Sequence, residues 1–217
     1  MELLSKLFGS VLRVKILRLF LFQTGDGFSL NEIVKRTQSK TEPVRKEMAI
    51  LHKIGFVSEI AFTETTETTV TPKKGDKNQK IKTKVSEKRV KGYSINRKFQ
   101  LIGGLNEMLI ESHLMTREEV QKYFAPHTHI KLLVLSGIFV KETNSQADIL
   151  IVGEKLDQKS LQATIKIIES EVGKEIRYSL FTPEEFAYRI NMYDKYILDI
   201  LSKPHERIVE KMEIPKP

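Results

Sequence analysis

Apolar residues in the first part of the chain recur at intervals of three and four, which is the spacing of one face of a helix. The pattern predicts a helix over residues 11 to about 23, with Ser10 as its N-cap. A shorter apolar helix is predicted over residues 3–8. The buried stripe of the longer helix comprises Leu12, Ile16, Leu19 and Phe20, and its basic residues Arg13, Lys15 and Arg18 are predicted to lie off that stripe.

Residues 29–57 have the pattern of two short helices that meet at a tight turn, which is a helix-turn-helix. Ser29 and Glu32 form a capping-box pattern and predict a first helix over residues 30–37. Its inward positions are Leu30, Ile33 and Val34.

The second helix of this pair is predicted to have Thr41 as its cap and Gly55 at its end. Glu42 and Pro43 stand in its first turn, where an acid complements the helix dipole and a missing N–H costs nothing. Three residues at helical spacing are predicted to face the core: Val44, Met48 and Leu51.

The outward face of the second helix is mostly basic, and comprises Arg45, Lys46, Ala49, His52 and Lys53. In DNA-binding proteins of this kind the second helix enters the major groove with its N-terminus first. The candidate DNA-binding residues on this helix are therefore Lys40, Thr41, Glu42, Arg45 and Lys46. The alternative is an ordinary helical hairpin with a solvated basic face.

A long β-hairpin is predicted next, from the alternating and threonine-rich residues 56–71 and from residues 81–95. Its position after three helices is that of the wing in a winged-helix domain. Residues 72–92 hold nine Lys or Arg against two acids, which accounts for +7 of the net charge of +8. Candidate phosphate contacts at its basic tip are Lys73, Lys74, Lys77, Lys80 and Lys82. A solvated basic loop is the alternative.

Residues 97 to about 112 have a helical apolar pattern that Gly103 and Gly104 are predicted to interrupt, and this helix either connects domains or pairs with its copy in a dimer. Thr116 and Glu119 predict another capped helix that reaches about Phe124.

Strands are then predicted over residues 130–135, 147–152 and 175–181, with a helix over 156–172 that Gly173 closes. Thr182 caps a last helical stretch whose apolar residues continue to Leu201. Alternating strands and helices predict an α/β domain from about residue 126.

The amino-acid composition excludes several kinds of functional site. The chain has 217 residues and no cysteine, so disulfides, thiolate catalysis and cysteine-ligated zinc are excluded. No apolar run approaches the ~20 residues of a membrane span, and the N-terminus does not have the pattern of a secretion signal, so we expect a cytoplasmic protein. His127 and His129 are predicted to face solvent rather than to bind a metal.

The order of these elements resembles that of bacterial and archaeal helix-turn-helix regulators that carry a nucleotidyltransferase-like domain of the DNA polymerase beta superfamily. The resemblance rests on LFGSVLRVKILRLFL, on the capped hairpin and GFV, and on SQADILIVGE and GKEIRYSLFTPEEF in the second half. Active members have a Gly-Ser pair that cradles phosphates, and an Asp-x-Asp pair that holds divalent metals on one side of a strand.

The resemblance places a degenerate nucleotide site at Gly137, Ile138, Gln146 and Asp148. Ile138 stands for the serine and Gln146 for the first carboxylate, and magnesium prefers carboxylates. A third acid is expected from residues 175–181, whose interior supplies Arg177, Tyr178 and Ser179 instead. The resemblance therefore implies a catalytically inactive fold that needs no metal and no cofactor.

Together these observations predict an α+β protein of two domains: a winged helix-turn-helix at residues 1–96 and a nucleotidyltransferase-like α/β domain at 126–212, joined by a helical linker at 97–125. The predicted function is that of a homodimeric transcriptional regulator that binds double-stranded DNA, with a nucleotide or small molecule as a possible effector and no membrane contact. An active nucleotidyltransferase that modifies a protein or RNA is the alternative, and a winged-helix protein-interaction module is another.

Overall fold

The computed structural model describes residues 2–22, 25, 27–70, 82–111, 114–142 and 144–214. Within them the chain is a mixed α+β fold with two sheets. The N-terminal half contains α1 (Glu2–Phe8), α2 (Val11–Phe22), β1 (Phe28–Ser29), α3 (Leu30–Thr37), α4 (Thr41–Lys53), β2 (Val57–Val70) and β3 (Lys82–Ile95). It is followed by α5 (Ile102–Asn106), a π-helical segment (Glu107–Glu111) and α6 (Arg117–Phe124). The C-terminal half contains β4 (Ile130–Leu135), a 3₁₀ helix (Gly137–Val140), β5 (Ile149–Gly153), α7 (Gln158–Val172), β6 (Tyr178–Phe181), α8 (Pro183–Asn191), α9 (Lys195–Ser202) and β7 (Glu206–Glu210).

The core of the N-terminal half forms around α2. Ser10 caps this helix, since its Oγ accepts the Arg13 N–H at 3.1 Å. Of the predicted stripe, Ile16, Leu19 and Phe20 are buried and Leu12 is partly buried. The Phe20 ring makes edge-to-face contacts with Phe28 and Phe56, at centroid distances of 5.3 and 6.4 Å.

The capping box of α3 is confirmed, because Ser29 Oγ accepts the Glu32 N–H and the Glu32 carboxylate accepts the Ser29 N–H. Ile33 is buried, whereas Leu30 and Val34 are only partly buried against the same core.

The prediction that Thr41 caps α4 is wrong. Lys40 is the N-cap, without a side-chain hydrogen bond, and the first helical bond runs from Val44 N–H to Lys40 O at 3.3 Å. An N-cap side chain accepts from the N–H of the second or third helical residue. A cap at Thr41 would make Pro43, which has no N–H, the second helical residue. With Lys40 as the cap, Pro43 still lies in the first turn, where no backbone donor is needed.

The first sheet has the strand order β1-β3-β2. The predicted long hairpin is confirmed as an antiparallel pair that runs in register from Val57 opposite Ile95 to Val70 opposite Lys82. The tip of the hairpin lies outside the described residues.

The segment after the hairpin is less helical than predicted. The helix begins only at Ile102, and Gly103 and Gly104 lie inside it, so the prediction that they interrupt it is wrong. A Cβ at either glycine would meet nothing within 4 Å, so both face open space where their lack of a side chain costs no packing. The helix then widens into the π-helical segment, where Leu109 is buried.

The second sheet has the order β6-β5-β4-β7. It is mixed, because β5 and β6 are parallel while β4 is antiparallel to both of its neighbours. The strands β5 and β6 begin two and three residues later than predicted, and β7 was not predicted. The predicted single stretch to Leu201 is two helices, α8 and α9, separated at Tyr193, which has a φ of +55°.

Contacts between α2 and α7 join the two halves of the molecule. The prediction that Arg18 lies off the buried stripe is wrong, since this residue is 1% exposed. Its Nε donates to Leu109 O at 3.0 Å and its Nη1 to Glu171 O at 2.9 Å. Gly173 lets the helices approach, because a Cβ there would lie 2.7 Å from the backbone of Arg18 and Leu19. Within the described ranges, no helix is long and apolar enough to cross a membrane.

Candidate functional sites

The N-terminal end of α4 presents the residues predicted to bind DNA on an exposed surface: Lys40, Thr41, Glu42, Arg45 and Lys46. The opposite side of the helix is fixed by the buried residues Val44, Met48 and Leu51, as predicted. Arg45 Nη1 donates to Glu42 Oε2 at 2.9 Å, and both side chains are more than half exposed. Such an exposed pair is weak, so Arg45 can exchange Glu42 for another anion at little cost.

The predicted phosphate contacts Lys73, Lys74, Lys77 and Lys80 lie outside the described residues, and Lys82 is the first residue of β3. Nearer the core the hairpin carries an ion pair between Lys91 Nζ and Glu59 Oε1 at 2.5 Å. The same contact lowers the pKa of Glu59 and raises the pKa of Lys91. Both groups therefore remain charged at neutral pH.

In the C-terminal half, three of the four residues of the predicted nucleotide site come together at the end of β4. Asp148 immediately precedes β5 and is 0% exposed. Its Oδ1 accepts the Ile138 N–H at 3.1 Å and Arg177 Nη2 at 3.0 Å. Its Oδ2 accepts the Arg177 N–H at 3.0 Å and Arg177 Nε at 3.2 Å. A carboxylate has about four acceptor positions, and all four are filled from within the chain.

Gly137 is required for this arrangement. It has a φ of +55°, and a Cβ there would collide with Asp148 Oδ1. The 3₁₀ helix that starts at Gly137 aims the Ile138 N–H at the carboxylate. The Ile138 N–H, at the predicted nucleotide site, is therefore already bound to Asp148.

Gln146 does not join this cluster through its side chain, which is exposed, and its N–H donates to Asp199 Oδ2 at 3.3 Å. The hydroxyl of Ser136, two residues before Ile138, is buried and donates to Ala147 O at 2.6 Å. Neither side chain is arranged as a ligand for a phosphate or for a metal beside Asp148.

Sequence reasoning noted Arg177 only as a position without an acid and missed its role. Its guanidinium forms a bidentate pair with Asp148, and this hydrogen bonding raises the pKa of Arg177 further above its usual range. The signal available in the sequence was a lone basic residue in the strand expected to supply a third carboxylate.

The two histidines at the predicted loop have different surroundings. His129 is exposed as predicted, but His127 is partly buried and its Nε2 lies 2.8 Å from Thr164 Oγ1. Burial lowers the pKa of His127. No group of three or more acidic or histidine side chains within the described part of the chain could hold a metal ion.

Comparisons with known proteins give no relative. No family model, no curated protein and no solved structure matches this chain.

Proposed function

We propose that this protein is a transcriptional regulator that binds double-stranded DNA in a sequence-specific manner and acts in the cytoplasm as a homodimer. In this proposal residues 1–96 form a winged helix-turn-helix domain and residues 97–125 a linker. Residues 126–212 form a nucleotidyltransferase-like domain that serves assembly or sensing. The observation that carries the proposal is the exposed polar end of α4, held by a buried face and followed by a hairpin with two 14-residue strands.

The geometry supports this function because one face of α4 packs against the core while the opposite face is exposed. Val44, Met48 and Leu51 anchor α4 to the core, so its outward face is held in place without taking part in the packing. A rigid helix end with exposed basic side chains is what major-groove recognition needs. The basic segment at residues 72–92 supplies positive charge for phosphate contacts.

We test the recognition helix by replacing Arg45 and Lys46 with alanine. First, selection from a random duplex pool should enrich a palindrome, since a two-fold dimer presents two recognition helices. On that site the double variant should bind more weakly by about 1–3 kcal/mol if these residues contact bases, or uniformly on all sequences if they contact phosphates. The matched control removes two exposed lysines from α6 and α7, through Lys122→Ala and Lys159→Ala, and should bind normally. Equal affinity of both variants for every duplex would refute the assignment of α4.

For the C-terminal half we propose that no phosphoryl or nucleotidyl transfer occurs. Such reactions depend on metal ions that bridge the attacking and leaving oxygens. Asp148 has no acceptor position left for a metal, because Arg177 and two backbone N–H groups fill all four. Incubation with labelled nucleoside triphosphates, Mg²⁺ or Mn²⁺ and a lysate of acceptors should give no labelled product above background. Label that disappears in Asp148→Ala would establish the enzyme alternative.

A further inference from the structure

A cavity of about 360 Å³ lies where α2 ends against the 3₁₀ helix of the C-terminal half. Its apolar wall comes from both halves of the molecule and from the segment between them: Phe22, Ile110, Leu114 and Ile138. Small-molecule sites are typically cavities of about 300–1,000 Å³ with apolar walls and a few polar groups. The volume and the wall are therefore those of a site for one small organic molecule.

Three basic side chains at the cavity are hydrogen-bond donors: Lys141, Lys174 and Arg177. Arg177 is held on one side by Asp148, and its Nη1 has no hydrogen-bond partner among the described residues. Lys141 is exposed and forms no ion pair within the described part of the chain. Lys174 lies with its Nζ 5.8 Å from the centroid of the Phe22 ring. A guanidinium fixed by a buried carboxylate is a preorganised donor for an anionic oxygen.

The charge balance limits the kind of anion. The cavity is also lined by Glu111 and Glu142, whose carboxylates accept the Asn106 side-chain amide at 2.7 Å and the Asn144 N–H at 3.0 Å. When Asp148, which is buried beside Arg177, is counted with the two glutamates, three acidic groups balance the three basic groups. A neutral rim offers local donors without a strong positive field, which favours a single negative charge over a polyanion.

We propose that this cavity binds a small organic monoanion with an apolar, ring-sized body, whose anionic group contacts Arg177 and Lys141. Ile138, which lines the cavity, contacts the apolar body of the ligand. Because the wall combines α2 with the C-terminal half, the bound ligand stabilises their packing. Binding at the cavity is independent of the proposed function, and only the role of the ligand as an effector of DNA binding rests on it.

The binding test uses 2-naphthalenesulfonate as the probe, measured by isothermal titration on the full chain without DNA. Its uncharged analogue 2-naphthalenesulfonamide, inorganic sulfate and Mg-ATP are titrated in parallel. We expect one sulfonate per chain, about tenfold weaker binding of the sulfonamide because it has no negative charge to pair with the Arg177 guanidinium, and no binding of sulfate alone. Equal binding of sulfonate and sulfonamide, or no binding of either, overturns the proposal. Mg-ATP that competes with the sulfonate overturns the ligand class.

The position of the site is tested with two lysines in the same backbone conformation. Lys141 and Lys155 are both exposed and have φ values of +60° and +46°. Asn tolerates this conformation, so Lys141→Asn and Lys155→Asn remove one charge each without new strain. Lys141→Asn should weaken sulfonate binding at least about threefold, and Lys155→Asn should not change it. The same weakening in both variants, or in neither, places the ligand elsewhere and overturns the proposal.

DNA binding is then measured separately. If the chain binds the sulfonate at Lys141 but binds no duplex, the proposed ligand site is supported and the proposed DNA-binding function is refuted. If the chain binds DNA but no sulfonate, the DNA-binding function is supported and the ligand site is refuted.

Discussion

At the level of single residues, the candidate site of the C-terminal half is built on the ion pair between Asp148 and Arg177. The carboxylate is fully buried, whereas the Arg177 side chain is 50% exposed. A buried charge is tolerated only with complete pairing, which two backbone N–H groups and the guanidinium supply here. The positive charge next to the buried carboxylate is thus supplied by the chain itself. Asp148 serves to fix the turn after β4 against the start of β6.

Gly137 offers the most direct test of that cluster. Gly137→Ala should cost about 3 kcal/mol, because the new methyl group is both strained at φ +55° and forced against Asp148 Oδ1. Gly55→Ala is the matched control, since Gly55 has a φ of +80° but a Cβ there meets nothing within 4 Å. It should cost only the strain, about 1 kcal/mol. Urea denaturation measures both, and equal costs would show that Asp148 moves aside without penalty.

At the level of helices and strands, two capping-box predictions succeeded because their signal is local. The pairs Ser29 with Glu32 and Thr116 with Glu119 are capping boxes as predicted, since each needs residues only three positions apart. The π-helical segment and β7 were missed because tertiary contacts decide them. Only Ile208 is buried in β7, so its sequence has no clear strand pattern, and its pairing with β4 is what makes it a strand.

The candidate sites also differ in whether local or distant residues determine them. The exposed face of α4 followed from the helical spacing of Val44, Met48 and Leu51. The pairing of Arg177 with Asp148 could not be predicted, because it joins residues 29 positions apart across two strands. Likewise, a basic residue in an apolar helix gives no indication of burial until its carbonyl partners are known, as with Arg18.

The hairpin can be shortened without changing its register. Val70 stands opposite Lys82, so replacing residues 71–81 with Asn-Gly leaves a two-residue turn of the type that suits antiparallel strands. The change removes Lys73, Lys74, Lys77 and Lys80. Affinity for all DNA sequences should fall, and the slope of log K against log salt should flatten by roughly 0.9 for each phosphate that the protein no longer neutralises.

A full-length control separates charge from length in that experiment. Replacing the same four lysines with glutamine should reproduce the flatter slope while keeping the loop. An unchanged slope in both variants would mean that these lysines are solvated and take no part in binding.

In the molecule as a whole, the buried guanidinium of Arg18 connects the two halves by hydrogen bonds. Burial lowers the pKa of Arg18 to about 10, which still leaves it charged at neutral pH. Its guanidinium links α2 to the π-helical segment through Leu109 O and to α7 through Glu171 O. The N-terminal core, the connecting segment and the C-terminal half thus share one set of hydrogen bonds. A ligand or a mutation that shifts α7 acts directly on α2, the helix that supports α4.

Arg18→Met tests this coupling, because methionine keeps an apolar stem of similar length and has no donor. Leaving the carbonyls of Leu109 and Glu171 without the guanidinium should cost about 2–4 kcal/mol. Arg13→Met is the control for the loss of an arginine whose contacts stay within the N-terminal half, because Arg13 pairs with Glu47 and donates to Phe8 O. In this control β3 and β5 should still open together. Native-state hydrogen exchange with mass spectrometry gives the opening free energy of each strand. In the unsubstituted chain β3 and β5 should open together, whereas in Arg18→Met one should lose protection well before the other. Joint opening in Arg18→Met, with protection equal to that of Arg13→Met, would show that the packing of α2 against α7 holds without Arg18.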